Sequence, residues 1–379
     1  MKAIIHAGPH KTGTTSIQFF LSKNRQALAE QGFFVSGIKS PDGTPNHWWL
    51  IYLGTRSDER STLYHNSKRA GKTAEVCKQL RKKYLDLFNA ELDKAQSPDL
   101  GIQSFVLSTE EIVFLENDEV NSFYSFLLKR CESIDVIYYY RSPIDRLRSD
   151  IQQACKGGTN VTQSSLKDIP CQDNLRLRRL EPTGTNLGKV KLYIRGYKRD
   201  GEHPGWDARK DLCEAIGCDV SDLKYLDKNY HDNASLSQQM YSIVRDVNNA
   251  MPTFAENGGF NQLKRYFHNA SENYKWTRED KPFKLSASDI KVLAEGKERY
   301  KEGLDYAQAN DWTDLDPYCW TVYERIGKED AAEDVTGSAF DYTPPMSHMY
   351  YINVICHFWS FLRRVELKNE QAKKMRKQG

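Results

Sequence analysis

Short apolar runs alternate along the chain with longer segments of helical spacing. Lys2 to Ala7 carries Ala3, Ile4, Ile5 and Ala7, a run that reads as a buried strand. Thr14 to Gln31 places Ile17, Phe20, Leu21 and Leu28 on one helical face and meets a stop signal at Gly32. Phe33 to Val35 predicts a second short strand. A loop rich in Pro, Gly and Asn (Ser40 to Asn46) leads from it to His47-Trp48-Trp49-Leu50. Val76, Leu80, Tyr84, Phe88 and Leu92 keep helical spacing over Ala74 to Ala95. Ser104 to Leu107 reads as a strand ending at Ser108-Thr109-Glu110-Glu111, Asp118 to Cys131 as a helix, and Ile134 to Tyr140 as a strand. Lys189 to Arg195 predicts one more strand, and Asp207 to Ile216 a helix ended by Gly217.

Strands separated by helices need crossover connections. The expected fold class is therefore α/β, with three layers and a mostly parallel sheet flanked by helices. Ligands of such sheets bind beyond the carboxyl ends of the strands. Gly8, Glu110 and Arg141 all follow predicted strands, so three distant segments should meet at one cleft. Residues 1–230 are read as this core. Residues 231–327, with helices expected over Ser235 to Ala250 and Ser286 to Ala307, form a helical extension on the acceptor side. Residues 328–379 read as a linker and a basic, apolar C-terminal helix.

The first strand runs into Gly8-Pro9-His10-Lys11-Thr12-Gly13-Thr14-Thr15-Ser16. Glycines let backbone N–H groups turn towards an anion, and a helix start adds unpaired donors and partial positive charge. The Gly8-x4-Gly13 spacing is P-loop-like, but Thr14 stands where a nucleotide triphosphatase carries lysine, and the lysine lies inside the loop at Lys11. After the strand Ile134 to Tyr140 comes Arg141-Ser142-Pro143, with Ser149 about two turns into the next helix. A guanidinium fork and a hydroxyl suit a phosphate.

Together these segments resemble sulfotransferases that use 3′-phosphoadenosine-5′-phosphosulfate (PAPS), and bacterial members in particular. The family's 5′-phosphosulfate loop reads Lys-x-Gly-Thr-Thr, and its 3′-phosphate motif reads Arg-x-Pro-x-x-x-x-x-Ser. The likeness covers residues 1 to about 225 and continues weakly to about 320. It implies a sulfuryl transfer from PAPS, leaving PAP, to a hydroxyl or amine of a small-molecule or glycan acceptor, with a carbohydrate or glycolipid favoured. Gly8, His10, Lys11, Thr12, Gly13, Thr14, Thr15 and Ser16 would hold the 5′ end of the cofactor, and Arg141 and Ser149 its 3′-phosphate. Tyr197 resembles the family's adenine-side tyrosine. The family's tryptophan after Thr-Thr is Ser16 here, and its later Arg-Lys-Gly segment has no counterpart.

In-line sulfuryl transfer builds charge on the oxygen bridging to the departing phosphate, and Lys11 is the candidate cation there. No metal is required. A base must take the acceptor proton. The cytosolic members' histidine after the third strand is replaced by Ser108-Thr109-Glu110, so Glu110 is the first candidate. His47 is the second, with Trp48 and Trp49 as an aromatic wall for a sugar. Capping of the following helix also accounts for Glu110, and packing for His47, His6 and His10. A P-loop kinase needing magnesium and ATP, and an inactive nucleotide-binding scaffold, stay open as alternatives.

Composition narrows the setting. Lys plus Arg number 54 against 51 Asp plus Glu, a net charge of +3 over 379 residues, so nothing favours nucleic acid. Eight cysteines form no Cys-x-x-Cys pair, and free thiols are expected. No signal peptide or N-terminal anchor is expected ahead of the first strand, and a cytoplasmic location follows. Met349 to Leu362 is apolar and is followed by a basic run from Arg363 to Lys377. It is too short and polar to span a bilayer. Docking on the protein's own core and peripheral contact with an anionic membrane are its two readings.

Overall fold

The computed structural model describes residues 1–9, 12–41, 43–55, 73–141, 147, 151, 155, 176–198, 203–224, 236–251, 261, 264, 267, 270–271, 280–281, 283–326, 328, 338–339, 346, 350 and 354–359. The strands are β1 (Lys2–His6), β2 (Phe33–Val35), β3 (Ser104–Ser108), β4 (Ile134–Tyr140), β5 (Val190–Gly196) and β6 (Thr313–Leu315). They form one sheet in the order β2-β3-β1-β4-β5-β6, and every neighbouring pair is parallel. The helices are α1 (Thr14–Lys23), α2 (Arg25–Glu30), α3 (Leu50–Gly54), α4 (Ala74–Ala95), α5 (Asn117–Leu127), α6 (Ala208–Ile216), α7 (Gln238–Ala250), α8 (Ala287–Ala294), α9 (Lys297–Gln308) and α10 (Tyr318–Arg325).

Strand side chains alternate between two apolar layers. Ala3, Ile5, Leu107, Val136 and Tyr138 pack with Trp49, Tyr84, Phe88 and Tyr124 of the segment before α3 and of α4 and α5. Ile4, Val106, Ile137 and Tyr139 pack with Ile17, Phe20 and Leu212 of α1 and α6. Burial on both faces explains why β1 and β4 read as continuous apolar runs rather than alternating ones. The result is the expected three-layer α/β arrangement. On the α6 side, Arg195 of β5 donates two hydrogen bonds to Asp211, at 2.6 and 2.8 Å. The Tyr139 hydroxyl donates to the same carboxylate at 2.8 Å, so one acid ties β4 and β5 to α6.

The chain divides into two compact units. The first comprises Met1–Arg146, Asp168–His231 and Gly296–Ile326, and the second Leu147–Lys167, Asp232–Glu295 and Gly327–Gly379. The stretch read as a helical extension is therefore shared: α7 and α8 belong to the second unit, while α9, β6 and α10 complete the first. β6 escaped the sequence reading because Thr-Asp-Leu is too short to show any alternation. The helix expected over Ser286 to Ala307 is two helices, since Glu295 and Gly296 fall between α8 and α9. On α4 the buried seam runs through Cys77, Tyr84, Phe88 and Leu92, and Val76 is exposed.

The single helix expected from Thr14 to Gln31 breaks at Asn24. Its amide group donates to the carbonyls of Phe20 and Lys224, both at 2.9 Å, and its Oδ1 accepts from the Lys224 N–H at 2.7 Å. A side chain thus imitates a strand partner for a segment 200 residues away. Asn24 is buried, so its loss leaves both Lys224 backbone groups without that partner. Asn24→Ala should lower stability by about 2 kcal/mol in urea unfolding. An unchanged midpoint would mean that water replaces the amide at no loss.

Candidate functional site

β1 pairs with both β3 and β4, so the carboxyl ends of three strands lie side by side. The register continues past the strands: Ala7 N–H donates to the Ile137 carbonyl at 2.8 Å, and Thr109 N–H to the His6 carbonyl at 2.9 Å. The loop after β1 then turns back into α1. Gly13 has φ 73°, a left-handed conformation that glycine adopts without strain, and α1 starts at the next residue. Among the described residues no side chain caps this helix start, and its first turn holds no acid. Its N–H groups and partial positive charge are therefore offered to an anion.

The inside of the loop is tightly closed. A Cβ on Gly8 would lie 2.7 Å from Thr14 Cγ2, 2.8 Å from Thr12 Oγ1 and 3.3 Å from His6 Nε2. Only glycine fits there. Thr12 is buried, and its hydroxyl donates to the Pro9 carbonyl at 2.8 Å, which staples the loop. Thr14 is buried too and donates to the Glu110 carboxylate. Two of the hydroxyls expected to face a phosphate are thus used within the protein. Thr15 is exposed and Ser16 half-buried, so these two remain accessible at the helix start.

The structure brings Glu110 and Tyr197 to this loop and sets Arg141 against Tyr197. Glu110 follows β3, is 8 % exposed, and meets Thr14 across from β1. Arg141 follows β4, and its guanidinium carbon lies 5.2 Å from the centroid of the Tyr197 ring. Tyr197 follows β5, with its N–H donating to the Tyr140 carbonyl at 2.7 Å. Its ring reaches α1, because a Cβ on Gly13 would be 3.1 Å from Tyr197 Cε2. His10, Lys11 and Ser149 lie outside the described residues.

His47 is not placed to act as a base. It is buried, its Nδ1 accepts from the Ser108 N–H at 2.9 Å, and its own N–H donates to the Ser108 carbonyl at 3.0 Å. The ring is also bonded to the Ser36 backbone. Burial, reinforced by the charge of Arg25 and opposed by the Ser36 bond, pushes its pKa down to about 3. His47 is a rivet between the loop after β2 and the end of β3. Trp49 is likewise no cleft wall: it is fully buried and stacks on Tyr84 at 5.5 Å. Trp48 is half-buried.

His6 was read as a packing residue only, and Trp206 was missed. His6 pairs with Ser108 across β1 and β3, its Nδ1 2.7 Å from the serine hydroxyl. Its Nε2 is buried beneath the loop without a hydrogen-bond partner among the described residues. Burial, opposed by the charge of Glu110, pushes its pKa down to about 4, so the ring is neutral. Alternation from Ile4 under α1 was the available signal. Trp206 packs edge-on to Tyr197, with centroids 5.0 Å apart, extending the aromatic surface beside Arg141; nothing in its local sequence marks it.

No protein-family model matches the chain, and no curated protein does. The reading of the site therefore rests on its own residues.

Both buried histidines have folded pKa values below the ordinary 6.5, so the unfolded chain takes up their protons first. Their contribution is complete above pH 6.5, falls as the pH drops through the window towards 4, and reaches on the order of a few kcal/mol for each. Asn at position 47 can accept from the Ser108 N–H but cannot be protonated. His47→Asn should flatten the slope of unfolding free energy against pH in this window by about one proton. An unaltered slope would mean that the ring protonates without loss of the fold.

Proposed function

We propose that this chain is a PAPS-dependent sulfotransferase acting on a hydroxyl, or less often an amine, of a carbohydrate or glycolipid acceptor. The observation that carries the reading is that Glu110 and the Arg141–Tyr197 pair meet the same glycine loop from different strand ends. The residues suit the nucleotide. The uncapped start of α1 and the accessible hydroxyls of Thr15 and Ser16 offer donors where a 5′-phosphate would sit. Arg141 offers a fork of donors for a second phosphate, and the ring faces of Tyr197 and Trp206 suit a purine.

The bound cofactor would supply an activated sulfuryl group. The chain's part is positioning and charge. Backbone N–H groups at the head of α1 would hold the phosphate in place and stabilise charge arriving on it. Lys11, carried by the same loop in sequence, would supply a full positive charge to the departing phosphate. Glu110 accepts the proton of the acceptor hydroxyl at its carboxylate. Its contact with Thr14 orients that carboxylate at the loop.

Gln at position 110 keeps an oxygen for Thr14 but cannot take a proton. Glu110→Gln should cut transfer from PAPS to acceptor glycans by about a hundredfold or more while PAP affinity stays within about threefold. Full transfer activity would remove Glu110 from the base role. Arg141→Ala should weaken PAP by about tenfold or more in calorimetry and leave 5′-AMP unaffected. Equal weakening of both nucleotides would give Arg141 a role in the fold instead.

A further inference from the structure

The described part of the C-terminal segment has one docked side and one exposed side. Residues 354–359 are helical. One side is docked within the second unit. Val354 is buried, His357 Nε2 donates to the Ala270 carbonyl at 2.9 Å, and Phe358 stacks on Phe267 with centroids 4.2 Å apart. The other side is bare. Ile355 and Trp359 stand four residues apart, hence on one face, at 65 % and 72 % exposure. They are the two most exposed large apolar side chains among the described residues.

The charge that follows selects what covers this ridge. From Arg363 to Lys377 the chain has seven lysines and arginines against two glutamates. Two copies meeting through the ridge would bring two like-charged runs together, which is repulsive. An anionic bilayer attracts the same run, and tryptophan is the side chain that settles most readily at the headgroup boundary. We propose that the Ile355–Trp359 ridge, together with the basic run that follows it in sequence, docks the protein on an anionic membrane surface. The docked side fixes the ridge so that little ordering is left to binding. This inference does not depend on the transfer reaction.

The test is co-sedimentation of the full chain with phosphatidylcholine vesicles, with and without about 30 % phosphatidylserine. Binding is expected to the anionic vesicles alone and should weaken as salt is raised to about 0.5 M. The double variant Ile355→Ser/Trp359→Ser changes only exposed side chains of the helix, so its melting temperature should stay put while partition falls by about tenfold. Lys373→Gln/Lys374→Gln, in the basic run, should lower partition as well. No binding to anionic vesicles, equal binding by the serine variant, or a wild-type dimer in sedimentation velocity that this variant abolishes would overturn the proposal.

Discussion

The candidate site depends on β1 lying between β3 and β4 in parallel register. That pairing sets three strand ends in a row and aims the loop after β1 at the start of α1. A parallel strand buried on both faces cannot be moved without unpairing two neighbours, so the loop inherits a rigid base. Gly8 and Gly13 then do two different things. Gly8 lets the loop close over Thr12, Thr14 and His6, and Gly13 supplies the left-handed turn that leaves the head of α1 uncapped. An uncapped helix start leaves N–H donors that can receive an anion.

Around this base, polar side chains are buried in pairs: His6 with Ser108, Thr14 with Glu110, His47 with the backbone of Ser108. Each pair links two segments distant in sequence and gives a buried polar group a hydrogen-bond partner, although His6 Nε2 has none among the described residues. Ser108 belongs to two of the three. Its side chain meets His6 and its backbone meets His47, so the end of β3 is clamped from both sides before the chain reaches Glu110. A carboxylate placed this way is held in position with little freedom to lose on binding, which is what chemistry at a fixed distance requires.

The parts of the fold legible in the sequence are those set by local pattern. β1, its glycine loop and α1 are written in consecutive residues, and β4 with Arg141 likewise. That Gly8, Glu110 and Arg141 follow three neighbouring strand ends comes from one general rule about parallel sheets. What escaped was set by partners far away. Asn24 breaks a helix because Lys224 waits beside it, and His47 is buried because β3 offers it a backbone partner. The polar type of a residue is visible in sequence, but whether its hydrogen bonds face inward or outward is not. That is why Thr14 read as a phosphate ligand and is found bonded to Glu110, and why Trp49 read as a cleft wall and is found in the core.

The most direct test of the account is calorimetric titration of the intact chain with PAP in the absence of magnesium, beside 5′-AMP and ATP with magnesium. The account predicts tight binding of PAP that falls sharply when the 3′-phosphate is missing, because Arg141 would lose its partner and the head of α1 would not. Preference for ATP with magnesium would contradict it and turn the same loop, strand ends and aromatic surface over to a kinase.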